Sequence, residues 1–389
     1  MTVATLRKIE VTGGFAVEDG EPPQVLLDQE GRVVRAEPAL VAQGTPLRLR
    51  LELRGDQPPV LSGAVRGEGI ELPLRFPDEP ARQEGAWSLD AVTEPLPRGV
   101  TVHELQVELA SGGLPCRGAP APLRLYATYA RPRKNTPHPS RLPHAGKVHL
   151  EHACRWAQGA SRLTAYGPDS IPHCVDNAMR HYVHPGQGHA SAYGDLPPPL
   201  NYERLPGHEG IRAGERPLSP LWIPIPPWVS DEDYRAHYAG NFGWQVLDNP
   251  THPGGRCSQQ ASLLCEILGT LGIEARVVLL ERTATVRRGY RRVAAYQAFR
   301  ARDFGDQWWD SHGLAEVPLE DGALHYYDGS FSEPQGGPGR THGTRQEAFA
   351  ARSEDPRGLF IHTWGPWLYR EDEAEVPRRN WPDRWSGVP

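Results

Sequence analysis

The stretch GGRCSQQASLLCEILGTLGIEARVVLLE, residues 254–281, decides the fold of the second half of this chain. Small and apolar residues recur in it at helical spacing and share one face of a predicted helix: Ala261, Leu264, Leu268 and Leu271. Gly272 supplies a helix stop, and the apolar run at 273–280 predicts a buried strand. The pattern therefore places Cys257 at the N-terminus of a helix that packs against a sheet.

This position has a chemical consequence for Cys257. The first backbone N–H groups of a helix have no partner within the helix and form the positive end of its dipole. Both effects favour the thiolate, which lowers the cysteine pKa and raises the fraction of nucleophile at neutral pH. A backbone N–H there can also bind an oxyanion. Cys257 is therefore the candidate nucleophile, whereas Cys265, inside the helix, is predicted to be a core residue.

Three segments together resemble the transglutaminase-like superfamily, whose catalytic core is papain-like. The first is the cysteine on a helix followed by GIEARVV at 272–278. The second is HGLAEV at 312–317, similar to the family's His-x-Trp-x-Glu-Val strand, with Leu314 in place of the usual Trp. The third is YYDGSF at 326–331, where Asp328 matches the acid of the family's catalytic triad.

The resemblance covers about residues 147–335 and implies a Cys-His-Asp triad. In such a triad Cys257 is the nucleophile, His312 takes its proton, and Asp328 orients the imidazole and stabilises the imidazolium. The segment Glu320-Asp321-Gly322 is a turn signal between the histidine and the aspartate. It predicts that the two residues lie on adjacent antiparallel strands.

The implied reaction is thiol acyl transfer on an amide bond. The thiolate attacks the carbonyl to form a thioester, the amine leaves with the proton from His312, and water or a second amine resolves the acyl-enzyme. We predict a cysteine peptidase or amidase that acts on a protein, a peptide or an amide-containing small molecule, without a cofactor. The alternatives are a transglutaminase or an amide-bond-forming acyltransferase and, from another class, a non-catalytic domain that binds a partner.

Other residues extend these roles or compete for them. Gln245 and Trp244, upstream of the cysteine, are candidates for an oxyanion donor or an amide clamp. His325 and His342 compete with His312 as the base, but only His312 begins the family-like strand.

A group of metal-capable residue types precedes this region: His149, His152, Cys154, His173, Cys174, His181 and His184. Their spacing matches no standard zinc pattern. The acidic runs at 231–233 and 371–375 lack the Asp-x-Asp-x-Asp-Gly loop and following Glu of a calcium site. We therefore predict no metal site.

The first 130 residues show the alternation that is typical of strands. Leucines at 47, 49, 51 and 53 alternate with charged residues, and similar runs occur near 70–76, 107–109 and 123–125. About seven short strands of this kind indicate an antiparallel, immunoglobulin-like sandwich. The expected fold is thus an all-β immunoglobulin-like sandwich followed by an α+β papain-like or transglutaminase-like domain.

The Pro-rich and basic segment 131–146 is predicted to be the linker between a sandwich at 1–130 and a catalytic domain at 147–389. Residues 185–255 are rich in proline and aromatic residues, and we expect an ordered insert there. A second helix is expected around 176–182. The first helix of the catalytic domain is expected to present one apolar face: Val148, Ala153, Trp156 and Ala157.

Composition excludes several classes of partner. The formal net charge is −6, and acidic and basic residues are interleaved, which argues against nucleic acid. The chain contains no apolar run long enough for a signal peptide or a membrane span. Five cysteines without a framework pattern are typical of a reducing compartment. We therefore expect a cytoplasmic protein without a membrane partner.

Overall fold

The computed structural model describes residues 3–17, 22–56, 58–83, 85–136, 140–183, 247, 257–288, 291–296, 299–300, 308–309, 311–327, 341–342 and 359–364. These residues form a mixed α and β structure in which sheets predominate. Contacts divide the chain into two units. The first comprises Met1–Arg133, Ser140–Ser161 and Thr270–Ile273, and the second comprises Lys134–Pro139, Arg162–Gly269 and Glu274–Pro389.

The described residues of the first unit form two six-stranded sheets. Its strands are β1 (Thr5–Val11), β2 (Gln24–Leu27), β3 (Val33–Ala36), β4 (Ala39–Ala42), β5 (Pro46–Arg54), β6 (Leu61–Gly67), β7 (Ile70–Pro73), β8 (Ala81–Gln83), β9 (Ala86–Pro95), β10 (Thr101–Ser111), β11 (Leu114–Pro115) and β12 (Ala121–Thr128). One sheet has the order β3-β2-β1-β5-β9-β8. The other has the order β4-β12-β10-β6-β7, and β11 pairs with β10.

One hydrophobic core joins the inner faces of these two sheets. Leu6 and Ile9 of the first sheet belong to the same buried cluster as Val107 and Leu123 of the second. The predicted alternation of β5 is confirmed, because its four leucines are 0% exposed and the residues between them are exposed. Burial of each such side chain contributes about 1.5–3 kcal/mol, so this strand anchors the core.

The strand arrangement differs from the prediction in number and direction. The prediction was about seven antiparallel strands, whereas the described part of the first unit holds twelve, and β4 runs parallel to β12. The strand β3 is exposed along its whole length and β11 has two residues, so neither shows an alternation that could be counted. The parallel pair joins Ala39 to Leu125, and residues so distant in sequence leave no local signal.

Helix α1 (Lys147–Trp156) lies in the first unit, whereas its residues were predicted to open the second domain. Its buried face agrees with the predicted one at Ala153 and at Ala157, just past the end of the helix, since both are 0% exposed. It differs at Val148, which is 51% exposed, and at Trp156, which is half-buried, and the helix also buries His149, Leu150 and Cys154. Contacts with β12 explain this orientation. Glu151 accepts hydrogen bonds from Arg124 Nη2 at 2.8 Å and from the Tyr126 hydroxyl at 2.6 Å.

Replacing Tyr126 with phenylalanine is expected to flatten the alkaline stability profile of the first unit. Burial, and then the hydrogen bond to Glu151, raise the pKa of Tyr126 above its ordinary value of 10.0. A raised pKa contributes stability that is complete below pH 10 and lost as the pH rises beyond it. The variant should therefore lose about 1–2 kcal/mol at pH 7 but decline less steeply above pH 10 than the wild type.

Thermal unfolding followed by circular dichroism at pH 8 and at pH 11 measures this effect. Tyr166→Phe is the control, because Tyr166 is 53% exposed. A wild type and a Tyr126→Phe variant with parallel profiles between these pH values would contradict the prediction.

In the described part of the second unit, two helices accompany a six-stranded sheet and a separate two-stranded sheet. Its elements are α2 (Ile171–Val183), α3 (Cys257–Thr270), β13 (Arg276–Arg288), β14 (Arg291–Tyr296), β15 (Phe299–Arg300), β16 (Trp308–Trp309), β17 (Ser311–Pro318), β18 (Leu324–Tyr327), β19 (Thr341–His342) and β20 (Leu359–Trp364). The larger sheet has the order β14-β13-β17-β18-β19, with β20 paired to β13, and the smaller sheet joins β15 and β16.

The predicted helix stop is confirmed. Helix α3 ends at Thr270, and Gly272 has a φ of +84°, a left-handed conformation that favours glycine. The strand that follows begins at Arg276 rather than at residue 273, but Ile273, Ala275 and Val277 are buried as the apolar run predicts.

Part of the predicted linker packs on α3. The Asn135 side-chain amide donates to the carbonyl of Cys265 at 2.8 Å, and the Thr136 hydroxyl donates to Glu266 Oε2 at 3.3 Å. Both contacts lie within the second unit. The predicted insert at 185–255 falls outside the described residues, apart from Leu247.

Candidate functional site

Helix α3 begins at Cys257, as the sequence predicted. Its first turn contains no acidic residue, so no carboxylate there opposes a thiolate at the positive end of the helix dipole. All residues from 260 to 270 are buried, not only the predicted apolar face. A helix that is buried all round belongs to a protein core. The side chain of Cys257 itself lies outside the described residues.

The strand that carries His312 lies inside the larger sheet of the second unit. Strands β13 and β17 pair antiparallel, with Leu280 opposite His312 and Val278 opposite Leu314. Strand β17 pairs on its other edge with β18, where Ala315 lies opposite Tyr327. The structure describes the backbone of His312 and leaves its side chain undescribed.

The turn predicted after His312 is present. The Gly322 N–H donates to the carbonyl of Leu319 at 3.0 Å, and the Leu319 N–H donates to the carbonyl of Ala323 at 2.8 Å. These bonds close the hairpin of β17 and β18. Strand β18 ends at Tyr327, so Asp328 is the next residue along the chain and lies outside the described residues.

The residues after His312 form a core strand. Leu314, where the resembling family has a tryptophan, is 0% exposed, and residues 314–317 are all buried. Burial of consecutive residues means that both faces of the sheet are covered here. Glu316 is 1% exposed and forms an ion pair with Arg276, the residue opposite it on β13. Leu314 therefore provides an apolar side chain in a covered position.

Two predicted positions, Gln245 and Trp244, lie outside the described residues. The competing histidines both fall on the same sheet. His325 is in β18 and is 4% exposed. His342 is in β19, and its backbone pairs with that of Tyr326 in β18. The structure gives no distance between the cysteine and any of the three candidate bases.

The segment of residues 162–170, called here the strap, contacts the hairpin of β17 and β18. It is a closed loop, because the Arg162 N–H donates to the carbonyl of Asp169 at 3.0 Å and the Ile171 N–H donates to the carbonyl of Arg162 at 2.9 Å. Ser170 caps α2 by accepting the His173 N–H at 3.3 Å. The Tyr327 hydroxyl donates to the carbonyl of Ala165 at 3.0 Å.

Sequence reasoning missed the polar group around Tyr327. Asp176 is 0% exposed in α2, and its carboxylate raises the pKa of Tyr327, after the larger effect of burial. The rings of His325 and Tyr327 lie 5.0 Å apart, and those of Tyr166 and His325 lie 5.2 Å apart. The sequence did contain one signal for this polar group. Asp176 is a charged residue that directly follows Val175, which α2 buries.

The four other cysteines are poor nucleophiles. Burial raises the pKa of Cys116 to about 11, and it also raises the pKa values of Cys154, Cys174 and Cys265. Cys174 is the most exposed of these four thiols, and Asp169 adds to the rise in its pKa. A thiol with a raised pKa has almost no thiolate at neutral pH. Any fast alkylation of this chain therefore points to Cys257.

Within the described ranges, no group of three or more His, Cys, Asp or Glu side chains is arranged to hold a metal ion. No helix in the described part of the chain has the length and apolar character needed to cross a membrane. In comparisons with known proteins, no family model and no curated protein matches this chain.

Proposed function

We propose that this chain is a transglutaminase-like thiol acyl-transfer enzyme that acts on an amide bond, most simply as a cysteine peptidase or amidase. Cys257 is the nucleophile, His312 is its base, and Asp328 orients the histidine. The substrate is a protein, a peptide or a small molecule that contains an amide. The reaction needs no cofactor, since the thiol and the imidazole supply the nucleophile and the proton transfers.

The proposal rests on the order and pairing of the helix and strands in the second unit. A buried helix that begins at Cys257 is followed by β13, which pairs with the strand that contains His312. That strand pairs in turn with β18, and Asp328 is the residue after its end. A cysteine at a helix N-terminus followed by a histidine on an antiparallel sheet is the arrangement expected of a papain-like core. The raised pKa values of the other thiols add support.

The proposed mechanism has two halves. His312 takes the Cys257 proton, and the thiolate attacks the amide carbonyl, so that a C–S bond forms and the C–N bond breaks. The departing amine takes the proton from the imidazolium, and backbone N–H groups at the start of α3 stabilise the oxyanion. Water or a second amine then gives a proton to His312 and attacks the thioester, the C–S bond breaks, and the thiolate and imidazolium pair returns.

The finer fold assignments belong to the same proposal. The first unit is an immunoglobulin-like sandwich, which its two sheets around one core support. The second unit is a papain-like α+β domain, which the buried helix and the adjoining sheet support. The protein acts in the cytoplasm, where free thiols such as those of Cys116 and Cys174 persist.

Selective alkylation tests the proposed nucleophile. The intact protein is treated with limiting iodoacetamide at about pH 6, where an ordinary thiol with a pKa near 8.5 is mostly protonated, and each cysteine is quantified by mass spectrometry. We expect Cys257 to be labelled at least about tenfold faster than Cys174. The larger thiolate fraction of Cys257 outweighs the lower nucleophilicity of a more acidic thiol. Equal labelling of the two cysteines would contradict the proposal and favour a partner-binding domain.

The acceptor is determined by a second experiment. A denatured protein substrate is incubated with the enzyme and a fluorescent primary amine, and Cys257→Ser serves as the inactive control. Cleaved or deamidated substrate without bound amine identifies a hydrolase, whereas fluorescent substrate identifies an acyltransferase. Products that persist in the Cys257→Ser protein would show that the thiol does not carry the reaction.

A further inference from the structure

The strap at residues 162–170 is attached to the hairpin of β17 and β18 at two places. At the turn, the Leu163 N–H donates to Glu320 Oε1 at 2.7 Å, and the Glu320 N–H donates to the carbonyl of Leu163 at 3.0 Å. At the end of β18, the Tyr327 hydroxyl donates to the carbonyl of Ala165 at 3.0 Å. A loop that is closed on itself thus holds the turn before β18 and the end of that strand.

The attachment at Tyr327 is the buried one. The Tyr327 side chain is 0% exposed, whereas the Glu320 side chain is 37% exposed. In a buried site no bulk water competes for the phenol, so loss of its hydrogen bond leaves the carbonyl of Ala165 without that donor. Burial, followed by the nearby carboxylate of Asp176, raises the pKa of Tyr327, so the phenol remains a donor throughout the neutral range.

We infer that Tyr327 is a positioning residue for the base of the proposed triad. Its hydrogen bond to the strap fixes the end of β18, and the pairing of Tyr327 with Ala315 transmits this position to β17, the strand that contains His312. Asp328, the proposed acid, follows Tyr327 directly in the chain. The same hydrogen bond therefore fixes the residue that precedes the proposed acid. This inference rests on the proposed function.

The test compares two phenol deletions. Tyr327→Phe and Tyr126→Phe each remove the hydroxyl of a fully buried tyrosine that donates to an oxygen within 3.0 Å, in different units. The rate of Cys257 alkylation is measured from pH 5 to pH 9 in each variant. Tyr327→Phe is expected to lower the rate at pH 6 by about three- to fivefold, because small displacements of a reacting group reduce rates steeply. Tyr126→Phe should retain the wild-type profile.

Two further measurements separate positioning from general damage. In a His312→Ala background, Tyr327→Phe should have no additional effect on labelling, because it acts through the histidine. Glu320→Ala removes the side-chain hydrogen bond of the exposed attachment and leaves its backbone bond, and it should lower the rate at pH 6 by about twofold. This second variant also carries the test if Tyr327→Phe does not fold.

A wild-type labelling profile in both Tyr327→Phe and Glu320→Ala would overturn the inference and leave the proposed function intact. An equal loss in the His312→Ala background would overturn it as well, since Tyr327 would then act independently of the base. If Cys257 of the wild type is not labelled preferentially, or if labelling does not depend on His312, the proposed function fails and the inference fails with it.

Discussion

Replacing His312 with alanine should lower the rate of Cys257 alkylation at pH 6 by about tenfold, the largest effect on the candidate site that we expect from a single substitution. The imidazolium stabilises the thiolate, and without it the cysteine returns toward an ordinary pKa near 8.5, with about 0.3% thiolate at pH 6. A less acidic thiolate is the better nucleophile, which reduces the net change to about one order of magnitude.

The pH dependence distinguishes this effect from loss of structure. In the wild type the rate should change little between pH 6 and pH 8, whereas in His312→Ala it should rise about tenfold per pH unit, as for an unassisted thiol. His325→Ala is the matched control, because His325 lies on the neighbouring strand β18 and is one of the two competing candidate bases. A flat profile in His312→Ala with a steep profile in His325→Ala would exchange the roles of the two histidines.

Several features of the fold follow from local sequence pattern. The period-2 leucines of β5, the helix that begins at Cys257 and the stop at Gly272 all rest on residues that are near neighbours in sequence. The turn at 319–323 is likewise local, because its hydrogen bonds join residues four or fewer positions apart. Such features are encoded in the spacing of apolar residues and in glycine conformation.

Contacts between distant segments could not be predicted in this way. The bond from Tyr327 to Ala165 and the parallel pair of β4 and β12 join residues that are separated by long stretches of chain. The orientation of α1 is another example, because Glu151 is held by two residues of β12 and Val148 is thereby left exposed. These arrangements depend on tertiary packing, which overrides the apolar periodicity of a single element.

Gly272→Ala is expected to have the largest effect on stability. Gly272 adopts a φ of +84°, which costs a non-glycine residue about 1–2 kcal/mol. A Cβ at this position would lie 2.5 Å from the carbonyl carbon and oxygen of Ala130, which are backbone atoms and cannot rotate away. The required backbone shift would also disturb the hydrogen bond from the Ala130 N–H to the carbonyl of Leu271 at 3.1 Å. Together these effects should destabilise the first unit by about 3–4 kcal/mol.

The matched control is Gly159→Ala, because Gly159 lies in the same unit and has a φ of +80°. A Cβ added at Gly159 would have no other part of the chain within 4 Å. It shares the conformational cost and lacks the overlap, so it should lose only about 1–2 kcal/mol. For a unit of this size, the thermal midpoint should fall by about 6–16 °C in Gly272→Ala and by about 2–8 °C in Gly159→Ala. Equal shifts in the two variants would mean that the backbone near Ala130 moves away from the new Cβ without loss of stability. The helix stop would then depend on glycine conformation alone.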